Sequence, residues 1–440
     1  MRERVIRRGL YVAAVLACSI GRALAQEADD PLRTTVLDDS AAPIVLQPAS
    51  EQPIIIKRPK PKTDPYAAMG LGAGGLRLYP SFEIDGVATS NVNQSASAAK
   101  ADAGVELKPS LRFESGWSRH KWTGSVSADI LHYMGNPGLS TATGTAQTDF
   151  RLDIRHTTHA DFSAGYVLTQ PGRDSSALPA TAAGPGRDQT INVAAGITHD
   201  FGGLEGQLKT TLSRSTFDDV ALSGGGTEIN SDRNYYEPSL TLRGVLGQNG
   251  DPLKPYMQID YAPRLHDQTF DRNGQQRNSQ GGSVAIGALI DEGPIWSGEI
   301  AAVYNFRSYI DAALPNASDV GLRGNLNWRP TRVLTLTATS DVGLSETETI
   351  NIGATENWSA GLNLDYALRQ NVDVLAGLGL TLANTGAGID ATETAKLGFN
   401  WTLNPNMVAG VTYTGTWFNS GSGGSNFNDQ RIMTSIILRK

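Results

Sequence analysis

From about residue 76 to the C-terminus, apolar and polar residues alternate with period two. Nowhere does the chain approach the roughly 20 consecutive apolar residues that a membrane-spanning helix needs. Period-two alternation is the mark of a strand with one dry and one wet face. The clearest instance is Val105 to Ile130. Its first limb sets Val105, Leu107, Leu111, Phe113 and Trp117 against Glu106, Lys108, Arg112 and Glu114. The second sets Trp122, Val126, Ala128 and Ile130 against Lys121, Thr123, Ser127 and Asp129, and the polar turn SRHK between them predicts an antiparallel hairpin. The wet face is charged along its length and the dry face carries aromatics beside the turn, as suits a wall with lipid outside and water inside.

The same grammar recurs. Leu76, Leu78, Phe82 and Ile84 oppose Arg77, Tyr79, Glu83 and Asp85; Phe150, Leu152 and Ile154 oppose Asp149, Arg151, Asp153 and Arg155; further examples run to Leu362, Leu364 and Tyr366 against Asn363 and Asp365. Connections alternate in length. Short turns fall near 118–120, 156–158, 201–203, 248–253, 291–293, 330–332, 369–371 and 404–406. Longer polar loops fall near 90–101, 136–146, 171–188, 218–231, 267–280, 311–318, 344–355, 384–391 and 419–428. Eight turns and nine loops make seventeen connections, so the sequence predicts an all-β protein: an antiparallel transmembrane β-barrel of about 18 strands, with 16 as the alternative, over residues 69–440. An even count puts both chain ends on the periplasmic side with the short turns, and the long loops outside. All seven tryptophans fall on the apolar parity near strand ends: Trp117, Trp122, Trp296, Trp328, Trp358, Trp401 and Trp417 form the expected membrane-interface belts. Pro80, Pro109, Pro238 and Pro263 interrupt strand patterns, which predicts bulges or strand ends there. The chain ends in IILRK, without a terminal aromatic.

Residues 1–25 read as a signal peptide: Arg2, Arg4, Arg7 and Arg8, an apolar run from Gly9 to Ile20, and the small-residue site Ala23-Leu24-Ala25. A lipoprotein signal ending at Cys18 and a twin-arginine signal at Arg7-Arg8 are weaker matches, the first because its apolar run is too short. Cys18 is the sole cysteine, so the mature chain has no disulfide or Cys-metal site. Of 37 basic and 44 acidic residues, the signal segment removes five and one, leaving 32 against 43, about 11 net negative charges, which argues against nucleic acid as a partner. Residues 26–68 carry seven prolines and no periodicity, and read as a disordered or polyproline-like periplasmic extension. It is either a passive leader, or an arm that plugs the lumen or docks a periplasmic partner through Pro53–Pro59.

Chemistry-bearing patterns are sparse. Gly70, Gly72 and Gly75 satisfy the spacing of a nucleotide loop, but a Pro-rich tail precedes and a strand follows, where the motif needs a strand and then a helix. There is no G-x-S-x-G, P-loop or H-E-x-x-H, and the six histidines are scattered, with His156 and His159 astride a short turn. The sequence therefore predicts no catalytic residue, cofactor or metal site, and no enzyme. The candidates are inward wall charges: Arg77, Glu83, Asp85, Lys108, Arg112, Glu114, Asp129, Asp149, Arg151, Asp153, Arg155, Arg243, Asp260, Glu299, Arg307 and Arg323. They either pair with cross-strand neighbours or form a selectivity zone. Because Arg and acids interleave, weak ion selectivity is expected, and a barrel of this size leaves an aqueous channel unless a loop or the N-terminal arm blocks it.

Residues 65–92, PYAAMGLGAGGLRLYPSFEIDGVATSNV, join a P-Y-x-x-x-G-x-x-x-G leader to L-x-L-Y-P-S-x-E and S-N; with DFRLDIR at 149–155 and the barrel-length remainder this resembles the Putative β-barrel porin 2 family. The resemblance implies an alphaproteobacterial-type outer-membrane barrel, often accompanying cell-surface polysaccharide machinery, and supplies no catalytic residues. Implied partners are outer-membrane lipid, the barrel-assembly machinery and periplasmic polysaccharide-export proteins reached through residues 26–68. Three functions follow as expectations: a passive or weakly selective porin-like channel for small hydrophilic solutes, an export conduit for a surface polysaccharide, or a non-conducting structural barrel or adhesin acting through loops such as 171–188 and 267–280.

Overall fold

A computed structural model describes residues 66–171, 182–248, 250–345, 347, 351–421, 423 and 426–440. The signal peptide and residues 26–65 of the extension lie outside the described residues. Eighteen strands close into one antiparallel ring. We number them β1 (Leu76–Thr89), β2 (Asp102–Ser115), β3 (Lys121–Tyr133), β4 (Thr141–Arg155), β5 (Thr158–Thr169), β6 (Asp188–Asp200), β7 (Leu204–Phe217), β8 (Tyr235–Leu246) and β9 (Leu253–Tyr261, resumed at Leu265–His266). Then follow β10 (Ser279–Glu292), β11 (Trp296–Tyr309), β12 (Ala317–Trp328), β13 (Leu334–Ser345), β14 (Thr355–Arg369), β15 (Val372–Asn384), β16 (Ile389–Asn404), β17 (Met407–Asn419) and β18 (Phe427–Arg439). The ring closes where β1 pairs antiparallel with β18, from Ser81 opposite Arg439 to Thr89 opposite Arg431.

Closure is what makes the alternation affordable. In hydrocarbon each unpaired backbone group costs several kcal/mol, so a strand can cross only with both edges bonded. The register then sorts every side chain to one of two faces. Phe82, Ile84, Ile191, Val193, Leu240, Leu242, Leu378 and Leu397 stand exposed on the outer face, while Asp85, Glu106, Arg243 and Asp373 of the opposite parity are buried on the lumen side. Thus the large apolar side chains are outside and many of the buried ones are charged, the inverse of a soluble core.

The prolines resolve into local effects on the ladder. Pro80 sits where β18 has just ended, so its missing N–H costs no pairing. Pro109 lies in a gap of the β2–β3 ladder, between Leu107 opposite Ile130 and Ser110 opposite Ser127. Pro263 ends the first part of β9, and Pro238 on β8 faces that interruption. None of the four makes a bulge; register shifts occur instead at Asp153/Arg155, Ala367/Arg369 and Thr402/Asn404, beside short turns. Gly70, Gly72 and Gly75 belong to a leader in which Leu71–Ala73 pairs back on Leu76–Leu78, with no helix following.

The outer face yields a direct test. Leu378 lies midway along β15 and is 62% exposed toward the lipid side. Leu378→Arg should lower folding stability in lipid vesicles by roughly 2–4 kcal/mol, the cost of a cation at the bilayer midplane. Thr381→Arg on the opposite parity of the same strand should cost far less, as read from urea titrations followed by tryptophan fluorescence.

Candidate functional site: a lumen narrowed by an infolded hairpin

Fifteen of the sixteen predicted wall charges occupy the lumen parity of their strands, and most are neutralised at short range; Arg155 departs from it, because the register shift after Asp153 sets it opposite Thr158, on the outer parity. Asp85 and Glu106 face each other directly across β1 and β2. Like charges so placed repel, and Lys108 answers both, its Nζ 3.1 Å from each carboxylate. Glu83 is the register partner of Lys108, and Arg77 that of Glu114. Arg112 stacks over Tyr79 at 4.0 Å and reaches Glu114, which also accepts from the Tyr79 hydroxyl at 2.6 Å. Arg151 bonds Asp153 at 3.0 Å. Arg243 lies over Tyr256 and donates to Glu299 at 2.8 Å. Asp260 accepts from Thr241 at 2.6 Å and Ser283 at 2.7 Å. Arg307 meets Glu237, and Arg323 meets Asp341 at 3.1 Å. Asp129 and Asp149 face the lumen on β3 and β4, and Arg155 lies at the short-turn end of β4.

The bore is not uniform, because the wall overlaps itself between β12 and β13. Their ladder holds only from Gly324 opposite Ser340 to Trp328 opposite Leu336. Above that row β13 leaves its neighbour and slides across the inner face of β12. Val342 comes to lie over Gly321, where any Cβ would sit 2.9 Å from that of Val342. The Asn305 side chain on β11 donates to the Val342 carbonyl at 3.2 Å, two strands away. Beneath the overlap is a buried apolar patch of Val245, Tyr256, Ala285, Ala301, Val303 and Val342, with Leu289 and Trp358 packed on it. A lumen wall carrying Gly and Ala here leaves room for a second layer of chain.

Trp358 therefore does not join the interface belt expected for it. It is the register partner of Val342 on β14. Once the hairpin tips inward, its outer-parity face meets the inner wall instead of lipid. The other six tryptophans lie at the strand ends on the outer side. Trp117 and Trp122 stack at 6.2 Å, Trp296 and Trp328 stack at 5.5 Å, and Trp401 and Trp417 are exposed on β16 and β17.

The loop following β13 is fastened to the opposite side of the fold line. Gln275 and Asn351 exchange two hydrogen bonds, of 2.9 and 3.1 Å. Arg277, held by Asp271 at 2.6 Å, donates to the Ile352 carbonyl at 3.1 Å. The Tyr309 hydroxyl donates to the Gly353 carbonyl, and Arg264, paired with Glu237, donates to the Leu344 carbonyl at 3.2 Å. Each such bond contributes about 0.5–1.5 kcal/mol net, more where a charge is involved. Together they make the infolded hairpin a fixed part of the wall.

Sequence reasoning missed Glu237, Arg264 and Asp341. Extending the parity of Thr241 and Arg243 back through β8 reaches Glu237, but Pro238 masks the strand there. Arg264 follows the Pro263 break, after which parity cannot be carried forward. Asp341 shares the parity of Thr335, Thr337 and Thr339, a signal too uniform to single it out. At the mouth ringed by the long loops, Arg272 gathers Glu228 and Asp232 at 2.8 Å each, and Arg214 holds Asp267. Burial works against ionised Asp232, but the bonds from Arg272 outweigh it and hold that carboxyl below its ordinary range. Asp267 is lowered by its bonds from Arg214.

A family model described as Putative beta-barrel porin 2 matches residues 64–440. No curated protein matches the sequence. Among solved structures, the outer membrane protein opdK from Pseudomonas aeruginosa is 12% identical, with a TM-score of 0.41 over 82% of this chain and 99% of that one. The outer membrane channel DcaP of Acinetobacter baumannii is 12% identical, with a TM-score of 0.40 over 85% and 100%. An anion-selective porin from Comamonas acidovorans is 9% identical, with a TM-score of 0.39 over 83% and 99%.

Two outcomes are expected. Gly321→Leu should displace the hairpin from the wall and raise single-channel conductance, while Tyr309→Phe, removing one latch, should cost about 1 kcal/mol and add brief opening transitions to the current record. For the outer loops, depressed carboxyl pKa values mean that stabilisation is fully present above the ordinary Asp range near 3.8 and is lost as pH falls through the lower folded values. Protease resistance of loops 218–234 and 267–278 should hold from neutral pH down to that range and drop below it.

Proposed function

The chain belongs to the Putative beta-barrel porin 2 family, and from that premise we propose that it is a weakly ion-selective outer-membrane channel for small hydrophilic solutes. Its place is the bacterial outer membrane, with short turns periplasmic and long loops outside. The observation that carries this reading is the pairing of wall charges. Arg243 with Glu299, Arg323 with Asp341, and Lys108 with Asp85 and Glu106 each close within about 3 Å. A solute in the lumen thus meets local dipoles among Ser, Thr and Gly, not a ring of one sign. The infolded hairpin sets the size limit by taking up part of the cross-section. Barrel-assembly machinery inserts the chain, and residues 26–68 are a periplasmic arm available to a partner.

The test is single-channel recording of the refolded mature protein in a planar bilayer, with and without residues 26–68. Ohmic steps in both forms, with cation and anion permeabilities close to one another, are the expected result. Silence of the full form with steps after truncation would make the arm a plug and favour gated export, and silence of both would leave a structural barrel.

A further inference from the structure

The periplasmic mouth carries a feature that the paired wall does not share. A cleft of about 390 Å³ opens there between the β2–β3 turn and the β4–β5 turn, lined by Ser118, Arg119, Arg151, Asp153, Arg155, His156 and His159. Its volume falls within the roughly 300–1,000 Å³ of small-molecule sites. Three guanidiniums and two imidazoles line it against one carboxylate, in a mature chain that is acidic overall.

How each cation is held decides what the cleft can do. Arg151 spends its charge on Asp153 at 3.0 Å and touches His159 Nδ1 at 3.1 Å, while His159 turns its other nitrogen to Asp161 at 3.2 Å. Among the described residues Arg119 meets no carboxylate. Its donors go to the main-chain carbonyls of Asp153 and Ile154, at 3.3 and 3.0 Å, which fixes the guanidinium without cancelling it. Arg155 follows the register shift at Asp153/Arg155, and its side chain meets no acceptor among the described residues. Bulges of this kind re-aim side chains and gather beside functional sites. Two uncancelled guanidiniums on adjacent turns suit a ligand carrying more than one negative oxygen, since Arg binds carboxylate and phosphate through paired N–H donors.

We propose that this cleft is a binding site for small polyvalent anions bearing carboxylates or phosphate, presented to solutes on the periplasmic side of the barrel. Arg119 and Arg155 make the principal contacts, Arg151 and His159 hold the rear wall, and Asp153 keeps Arg151 in place. The lining residues Arg151, Asp153 and His159 are on the lumen parity, and Arg155 joins their cleft from just beyond the register shift, so the ligand is a dissolved solute, not a lipid headgroup on the outer wall.

The test is titration calorimetry of the folded mature protein in phospholipid-free micelles at low salt, with citrate and inorganic phosphate as probes and sucrose as the uncharged control. Saturable citrate binding is expected, with phosphate weaker and sucrose silent. The double variant Arg119→Gln/Arg155→Gln should lose roughly tenfold or more in citrate affinity, the scale of removing bonds to a charged group. Arg155→Lys alone should retain most of it, and Arg187→Gln at the opposite mouth should bind as the native protein does. Heat-modifiable gel mobility checks that every variant is folded. No saturable binding to the native protein, an unchanged affinity in the double variant, or an equal loss in Arg187→Gln would each overturn the site. Binding is read here without any current, so a barrel that binds citrate but does not conduct would refute the channel reading and leave this one standing.

Discussion

Everything in this molecule depends on satisfying backbone hydrogen bonds where no water can do so. A chain whose apolar residues come in alternation, not in runs, cannot cross a bilayer as a helix, and a strand crosses only if both edges are paired. The first and last barrel strands must therefore find each other across more than 300 residues, and β1 and β18 do so from Ser81 with Arg439 to Thr89 with Arg431. Once the ring is closed, the two-residue period leaves no freedom. A slip of one position would turn Asp85, Lys108 and Arg243 to lipid and Ile84, Leu107 and Leu242 to water.

Closure also creates an interior that has to be managed. A ring of this strand number encloses more space than side chains alone fill. Part of it is occupied here by the wall itself, as β13 leaves β12 above Gly324 and lies over Gly321. The overlap needs two things at once. The wall beneath must be small and apolar, as at Ala285, Ala301 and Val303, and the incoming loop needs polar anchorage, supplied by Gln275, Arg277 and Tyr309. An apolar patch that would be misplaced facing water becomes the seat of a second layer, and Trp358 is drawn into it from a parity that otherwise faces lipid.

The same crowding shapes the electrostatics. Buried charges are costly unless paired, and Asp85, fully buried, stands opposite Glu106 with Lys108 between them. Such clusters cancel at short range and leave little field along the bore. The cleft at the short-turn end differs because Arg119 is tied to main-chain carbonyls and Arg155 meets no acceptor among the described residues, so charge persists at that mouth.

What the sequence determined by itself is whatever period and spacing encode. That covers the strand count, the alternation of short turns and long loops, the lumen parity of wall charges such as Arg77, Asp85, Arg243 and Arg323, and the outer placement of tryptophans such as Trp296 and Trp328. These are local properties: each strand carries its own two faces, and most of the short turns carry their own Gly, Pro or Asn. What only the tertiary structure decided are contacts between residues far apart in the chain. The ladder gap between β12 and β13, the docking of Asn351 to Gln275, the salt bridge of Arg307 to Glu237 across two intervening strands, and the inward turn of Trp358 have no local signature. They follow from how a closed wall of this curvature can fold over its own glycines. Alternation fixes which face a side chain belongs to; only the closed ring fixes what stands in front of it.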